Sequence, residues 1–166
     1  MKQRLITLLG FGFFIFCGLI IVALAFEWNY RKSSPILQPI AFSHLIHAHK
    51  LGLECTYCHV NADKSPRATV PAMKICMNCH EKAVTDRPKV QKLISYWNKK
   101  EPIPWNRVYQ LPEHVYFTHK RHIKAGIDCF NCHGFVNTME IVKQVRSLEM
   151  GWCVSCHRSK SVSTDC

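Results

Sequence analysis

The sequence predicts a domain of short helices and irregular segments built around covalently bound cofactors and tethered by one N-terminal transmembrane helix. Three observations lead to this fold class. An uncharged apolar stretch opens the chain, four Cys-x-x-Cys-His motifs follow it, and the remaining apolar residues are scattered among prolines and charges. Such a pattern buries too little apolar surface to fold unaided. Bound cofactors would then supply the core.

The N-terminal stretch is long enough to span a bilayer. Lys2 and Arg4 precede 22 uncharged residues at 5–26, a length that exceeds the apolar region of most cleaved signal peptides. Positive charge before the span predicts a cytoplasmic N-terminus and a periplasmic remainder. A cleaved signal peptide is the alternative, because residues 23–25 resemble a cleavage site. We expect a single-pass anchor in the cytoplasmic membrane.

Four Cys-x-x-Cys-His motifs are the strongest signal in the sequence. This motif is typical of c-type haem attachment, in which two cysteines form thioethers and the histidine reaches the iron as its fifth ligand. Zinc sites and disulfides are alternatives for paired cysteines, but neither explains a histidine after every pair. The attachment cysteines are Cys55, Cys58, Cys76, Cys79, Cys129, Cys132, Cys153 and Cys156, and the proximal histidines are His59, His80, His133 and His157.

Cys166 ends the chain in Ser-Thr-Asp-Cys, much as Ile-Asp-Cys opens the motif at Cys129. It is either the first cysteine of a fifth attachment motif or an ordinary terminal cysteine. The sequence therefore predicts four haem c groups and leaves a fifth open.

A second pattern, Phe-x-His-x-x-His, precedes the motifs twice. The two copies and their motifs repeat at an offset of 74 residues from Cys55 to Cys129, which indicates a duplicated two-haem unit. Histidines at i and i+3 lie on one side of a helical turn, where each pair can serve two haems. His49 and His114 lack a repeat partner and are not expected to bind iron. The predicted distal ligands are His44, His47, His119 and His122.

These features divide the chain into five segments. In the connection between modules, an apolar stripe predicts a packing helix at 87–99, capped by Asp86 and stopped by Pro102. Met73 and Met150 are expected to pack, with axial ligation as the alternative. The segments are an anchor at 1–30, a linker at 31–39, a first dihaem module at 40–86, the helix with a proline-rich connection at 87–114, and a second dihaem module with a C-terminal tail at 115–166.

The net charge of +11 is weak support for any macromolecular partner. Lysines and arginines are spread along the chain without a run of five, and each haem would add two propionates. We expect no nucleic-acid partner. Since two histidines per iron leave no position for substrate, the residues favour electron transfer and not catalysis by this chain alone.

Several stretches resemble the membrane-anchored pentahaem cytochrome c subunit of alternative complex III, within the wider c3/c7-like class of multihaem cytochrome c. The resemblance implies a mostly irregular fold with short α-helices around stacked haems. It also implies a respiratory or photosynthetic quinol-oxidising complex with an iron–sulfur subunit and integral membrane subunits. The electron acceptor would be a soluble cytochrome c, another carrier or a terminal oxidase. The stretches lie at 42–47, 52–55, 104–119, 139–142 and 148–153.

The chain departs from that family in having four complete motifs where the family has five. A first alternative is an anchored tetrahaem quinol dehydrogenase that binds quinol itself near residues 28–32. A second is a haem reductase, which would contain a high-spin, ligand-binding haem.

Overall fold

The computed structural model describes residues 2–33 and 35–165, and the chain divides after residue 34 into two compact units. The fifth-motif prediction falls on Cys166, which lies outside the described residues.

The first unit is a single helix, α1 (Lys2–Ser33). Its segment Lys2–Tyr30 is long and apolar enough to cross a membrane, and the side chains of Phe11, Phe14 and Phe26 are exposed along it. At about 1.5 Å per residue, a helix of this length exceeds a hydrocarbon core of about 30 Å. A membrane anchor and a signal sequence both fit this helix.

The second unit is built from short helices and irregular segments, and residues 35–165 contain no β-strand. The two cysteines of each Cys-x-x-Cys-His motif lie on one of the short α-helices, and His59 follows directly after its helix. Each distal-histidine pair lies at the start of a helical turn. In order, the elements are a π-helical turn (Leu45–Lys50), α2 (Cys55–Cys58), α3 (Met73–His80), α4 (Pro88–Lys99), α5 (His119–Lys124), α6 (Cys129–His133), a 3₁₀ turn (Val136–Thr138) and α7 (Met150–Ser159).

Helix α4 is the helix expected between the modules, but its start differs from the prediction. Arg87 occupies the N-cap position without a side-chain hydrogen bond, and Pro88 is the first helical residue. The predicted capping role of Asp86 is therefore wrong; proline at the first position already fixes φ and lacks the N–H that a cap would satisfy. The helix ends at Lys99, because Lys100 is left-handed (φ 58°, ψ 28°), two residues before Pro102.

The apolar stripe of α4 packs against α3, which carries the second motif. Ile40, Met77, Leu93 and Ile103 form the buried cluster at this contact. Met73 packs against the same cluster, whereas Met150 in the second module is 64 % exposed. Met73 therefore packs as the sequence predicted, whereas the predicted packing of Met150 is wrong. The other partly buried residues around the cluster are Cys76, Ile94, Tyr96, Trp97 and Trp105.

Few side chains are buried in this unit. Among the described residues the buried apolar ones are Ile40, Ala62, Met77, Leu93 and Ile103, and all lie between residues 40 and 103. The described part of the second module, 115–165, has none. A domain with so small a core needs an additional source of buried apolar surface.

Backbone hydrogen bonds join the two modules reciprocally. Leu45 N–H, in the first distal turn, donates to Met139 O (3.1 Å), just after the 3₁₀ turn of the second module. Lys120 N–H, in the second distal turn, donates to Ser65 O (3.2 Å) in the first module. Each distal turn therefore packs on the segment that follows the first motif of the other module.

Candidate haem-binding sites

A phenylalanine sets the orientation of both distal histidines in the first module. The Phe42 ring meets the His44 ring edge-on, with centroids 4.9 Å apart and planes at 87°, and stacks on His47 at 4.3 Å and 25°. The two imidazoles are thereby held in different directions. One turn can then present a ligand to each of two sites.

The second module repeats this geometry. Phe117 meets His119 edge-on at 4.7 Å and 86°, and packs on His122 at 4.6 Å and 31°. The duplication predicted from the sequence therefore extends to ring orientation.

Three distal imidazoles each lie opposite the imidazole of a Cys-x-x-Cys-His motif, at a separation that would accommodate one metal ion between the two rings. Because a histidine nitrogen lies about 2 Å from its metal and roughly 1 Å from its own ring centre, two axial imidazoles on one iron have centres about 6 Å apart. The observed ring-centroid separations are 6.1 Å for His47 and His80, 6.3 Å for His119 and His133, and 6.1 Å for His122 and His157.

His44 and His59, the fourth combination, are close enough to interact electrostatically. Burial, and then neighbouring His59 and His47, lower the pKa of His44 to about 4. Burial, and then His119 and His59, lower the pKa of His133. His59 therefore neighbours His44 in its own module and His133 in the other.

Backbone carbonyls fix the tautomer of most of these histidines. A carbonyl oxygen only accepts, so an Nδ1 bonded to one carries the proton and Nε2 is left with its lone pair for a metal. Six of the eight candidate ligands have this arrangement. The Nδ1 atoms donate as follows: His47 to Ser43 O (2.8 Å), His59 to Thr69 O (2.7 Å), His80 to Ala83 O (3.2 Å), His119 to Pro66 O (2.9 Å), His122 to Thr118 O (2.9 Å) and His157 to Ser163 O (2.6 Å).

The cysteines are placed for attachment to a porphyrin edge. Within each motif the two cysteines are three residues apart on a helical turn, which puts both sulfurs on one face. Cys55, Cys79, Cys129 and Cys156 are exposed thiols in no disulfide. A large cofactor can therefore reach them.

The residues present fit haem c. Sulfur pairs beside an imidazole supply attachment and one axial ligand, and a second imidazole faces the first at the spacing of a hexacoordinate iron. The buried Nδ1 of His44 has no hydrogen-bond partner, and the small buried core leaves apolar surface for a macrocycle to cover. Across residues 2–33 and 35–165, no group of three or more histidine, cysteine or acidic side chains is arranged to hold a metal ion.

The structure places the other two histidines, His49 and His114, on the surface. It also shows positioning groups that the sequence analysis did not identify. The carbonyls of Pro66 and Thr69 are backbone atoms and leave no trace in a residue pattern. Tyr109 lies in the proline-rich connection, and no spacing rule relates it to His133.

Tyr109 is a positioning residue for His133. Its ring meets the His133 imidazole edge-on at 4.5 Å, and its hydroxyl lies 3.3 Å from His133 O and 3.1 Å from Lys143 O. Burial raises the pKa of the Tyr109 hydroxyl, which stays protonated and able to donate.

Tyr109→Phe is expected to destabilise the haem-loaded protein by about 1 kcal/mol, since it keeps the ring and loses one hydrogen bond. Tyr109→Ala should cost more, because it also removes the ring from His133. Denaturant unfolding measures both changes. Tyr116→Phe, at a position that is 88 % exposed, is the control and should be neutral. Equal effects of Tyr109→Phe and Tyr116→Phe would show that the Tyr109 hydroxyl bond contributes nothing.

Paired imidazoles beside repeated Cys-x-x-Cys-His helices are the arrangement of a multihaem c-type cytochrome. Residues 40–95 match the family model described as cytochrome c7 and related cytochrome c. The chain is also 34 % identical over 125 residues to the menaquinone reductase, multiheme cytochrome c subunit, of Nitratidesulfovibrio vulgaris (strain Hildenborough). That alignment covers 72 % of this chain and 58 % of the relative, so the chain spans less than two thirds of the relative's length.

Proposed function

We propose that this chain is a membrane-anchored multihaem c-type cytochrome that relays electrons on the periplasmic side of the cytoplasmic membrane, as a non-catalytic subunit of a quinone-linked complex. The observation that carries the proposal is the facing of proximal and distal imidazoles at about 6 Å. Both axial positions of each iron would be filled, which leaves no place for a substrate.

In this proposal the protein supplies attachment and ligands, while haem c, when bound, accepts and releases single electrons. The eight motif cysteines would hold the macrocycles covalently, and Cys166 would be either the first cysteine of a further motif or an ordinary terminal cysteine. The Nδ1 bonds orient the imidazoles and raise their basicity, which favours oxidised iron. Four pairs of histidines would each hold one haem iron: His44 with His59, His47 with His80, His119 with His133, and His122 with His157.

The quinone link is supported by two similarities. Stretches such as 104–119 resemble the cytochrome subunit of alternative complex III, and the Nitratidesulfovibrio relative is a subunit of a menaquinone reductase. We propose partners of the kinds these imply. They are an iron–sulfur subunit, integral membrane subunits, and a soluble cytochrome c, another carrier or a terminal oxidase.

The direction of electron flow has two candidates. The alternative complex III resemblance favours oxidation of quinol and delivery to a carrier outside the membrane. The relative's name favours the opposite direction, with menaquinone as the acceptor. A relay of bis-histidine sites conducts in either direction, so the partner subunits decide.

The isolated subunit in detergent is expected to stay oxidised when a reduced quinol is added and to be reduced by dithionite, because in this proposal the partner subunits supply the quinol site. Haem absorbance in the visible spectrum follows both steps. The same chain purified with its partners should be reduced by quinol if the complex oxidises quinol. If it works in reverse, a reduced soluble carrier should reduce it, and added menaquinone should reoxidise it.

Rapid, inhibitor-sensitive reduction of the isolated subunit by quinol would overturn the relay proposal. It would support instead a self-sufficient tetrahaem quinol dehydrogenase.

A further inference from the structure

We infer that the loop at residues 61–69, called here the bridging loop, positions axial ligands of two haem sites in different modules. Thr69 is the residue that fixes the conformation of this loop. The inference rests on the proposed haem ligation and is independent of the quinone link. The two sites are the first, at 55–59, and the third, at 129–133.

The bridging loop holds the proximal ligand of the first site. His59 Nδ1–H donates to Thr69 O at 2.7 Å, one of the two shortest of the six histidine bonds. No helix supplies this carbonyl, in contrast to His47 and His122, which bond to carbonyls four residues earlier. The orientation of His59 therefore depends on the conformation of the loop.

The same loop holds the distal ligand of the third site. Pro66 O accepts both the backbone N–H of His119 (3.0 Å) and its Nδ1–H (2.9 Å), and these residues are 53 apart in sequence. Lys120 N–H adds a bond to Ser65 O (3.2 Å). Pro66 thus fixes the backbone and the ring of His119 together.

The first and third sites are also close to each other at their Cys-x-x-Cys-His motifs. Burial, and then Cys55, raise the pKa of the Cys129 thiol, and burial, His119 and His59 lower the pKa of His133, so the first and third motifs lie close together. In a haem-bearing protein these sulfurs would be thioethers, so only their proximity matters here. The bridging loop therefore lies where the two modules contact each other.

Thr69 has a backbone conformation that its side chain disfavours. Its φ is 62°, in the left-handed region, which β-branched residues rarely adopt. Its hydroxyl accepts from Asn61 Nδ2 (3.1 Å) and donates to Ala68 O (2.7 Å). These two bonds hold the conformation that aims the Thr69 carbonyl at His59.

The orientation of the third site gives a spectroscopic signature. The His119 and His133 rings are nearly parallel, with an interplanar angle of 8°, whereas His47 and His80 stand at 66°. In oxidised low-spin haems, near-parallel axial imidazoles give a rhombic electron paramagnetic resonance (EPR) spectrum, and strongly crossed ones give a spectrum with one large g value. Rotation of His119 would move the third site away from the rhombic type.

The test uses Thr69→Val in the full-length, haem-loaded protein, since valine keeps the shape and removes both hydroxyl bonds. We expect the midpoint potential of the first site to rise, because His59 loses basicity when its Nδ1 bond weakens. We also expect the rhombic EPR signal of the third site to shift. The second and fourth sites should keep their potentials, as followed haem by haem in a redox titration by NMR.

Two variants control this experiment. Val70→Thr makes the converse exchange at the next residue, which is exposed, and should leave all four sites unchanged. Thr69→Gly removes the same two hydroxyl bonds but adopts positive φ without strain, so it should move the first and third sites in the same direction as Thr69→Val and by less.

The inference is overturned if Thr69→Val changes the first site alone, changes all four sites alike, or changes none. If Thr69→Val misfolds, Asn61→Ala removes one of the two hydroxyl bonds and carries the same expectation. The midpoint potentials and the EPR signal are measured without quinone. A negative result for Thr69→Val would therefore not affect the proposed quinone link, and a negative result in the quinol experiment would not affect the inference about Thr69.

Discussion

His119→Ala is expected, under the proposed ligation, to convert one low-spin haem into a high-spin haem that binds carbon monoxide. His119 faces His133 with ring centroids 6.3 Å apart, and Pro66 O holds it there through two hydrogen bonds. Alanine would leave the sixth position of that iron open to water or added ligand. Visible spectra of the reduced protein, with and without carbon monoxide, should show a change equivalent to one haem.

His114→Ala is the matched control, because His114 is an exposed histidine close by in sequence with no partner in the repeat. Carbon monoxide should not change the visible spectrum of the reduced His114→Ala protein. An unchanged spectrum for His119→Ala as well would remove His119 from the set of iron ligands.

Gly134→Ala is expected to cause the loss of haem from the third site and a marked fall in Tm. Gly134 follows His133 directly, with φ 68° and ψ −168°, a conformation that is essentially restricted to glycine and costs other residues about 1–3 kcal/mol. A Cβ atom there would also lie 2.7 Å from Val145 Cγ2. Haem content per chain and thermal unfolding measure the two effects.

Gly126→Ala separates the causes, since Gly126 has φ 74° but open space around its Cβ position. The Gly126→Ala protein should lose stability only by the cost of holding alanine at positive φ, and it should keep its haems. Val145→Ala combined with Gly134→Ala should recover part of the loss. Wild-type haem content and Tm in Gly134→Ala would contradict the close packing at this turn.

The residues of the candidate site could be proposed from the sequence because their signals are local, and their ligation of iron stays a prediction. Four motifs and two Phe-x-His-x-x-His segments are short patterns, and duplication made each copy support the other. Helix α4 was predicted to within one residue because its apolar stripe is periodic. The capping role assigned to Asp86 failed, since Pro88 moved the helix start by one residue.

The partner of each distal histidine was not predictable, because it depends on contacts far apart in the chain. Spacing places His119 and His122 on one turn but does not say which motif each faces. That choice depends on bonds such as His119 to Pro66, 53 residues away. The contact of Tyr109 with the His133 carbonyl, 24 residues away, is of the same kind.

The uneven distribution of buried side chains bears on how the protein is made. The described buried apolar residues all belong to the first module and the connection, so this part has a small nucleus of its own. The described part of the second module, 115–165, has no such nucleus and, in the proposed function, would gain its stability from covalent attachment of haem. Maturation would then be ordered, with attachment at 129–133 and 153–157 preceding folding there. A chain that misses either haem would present an open segment to proteases, which would give the cell a means of removing incomplete molecules.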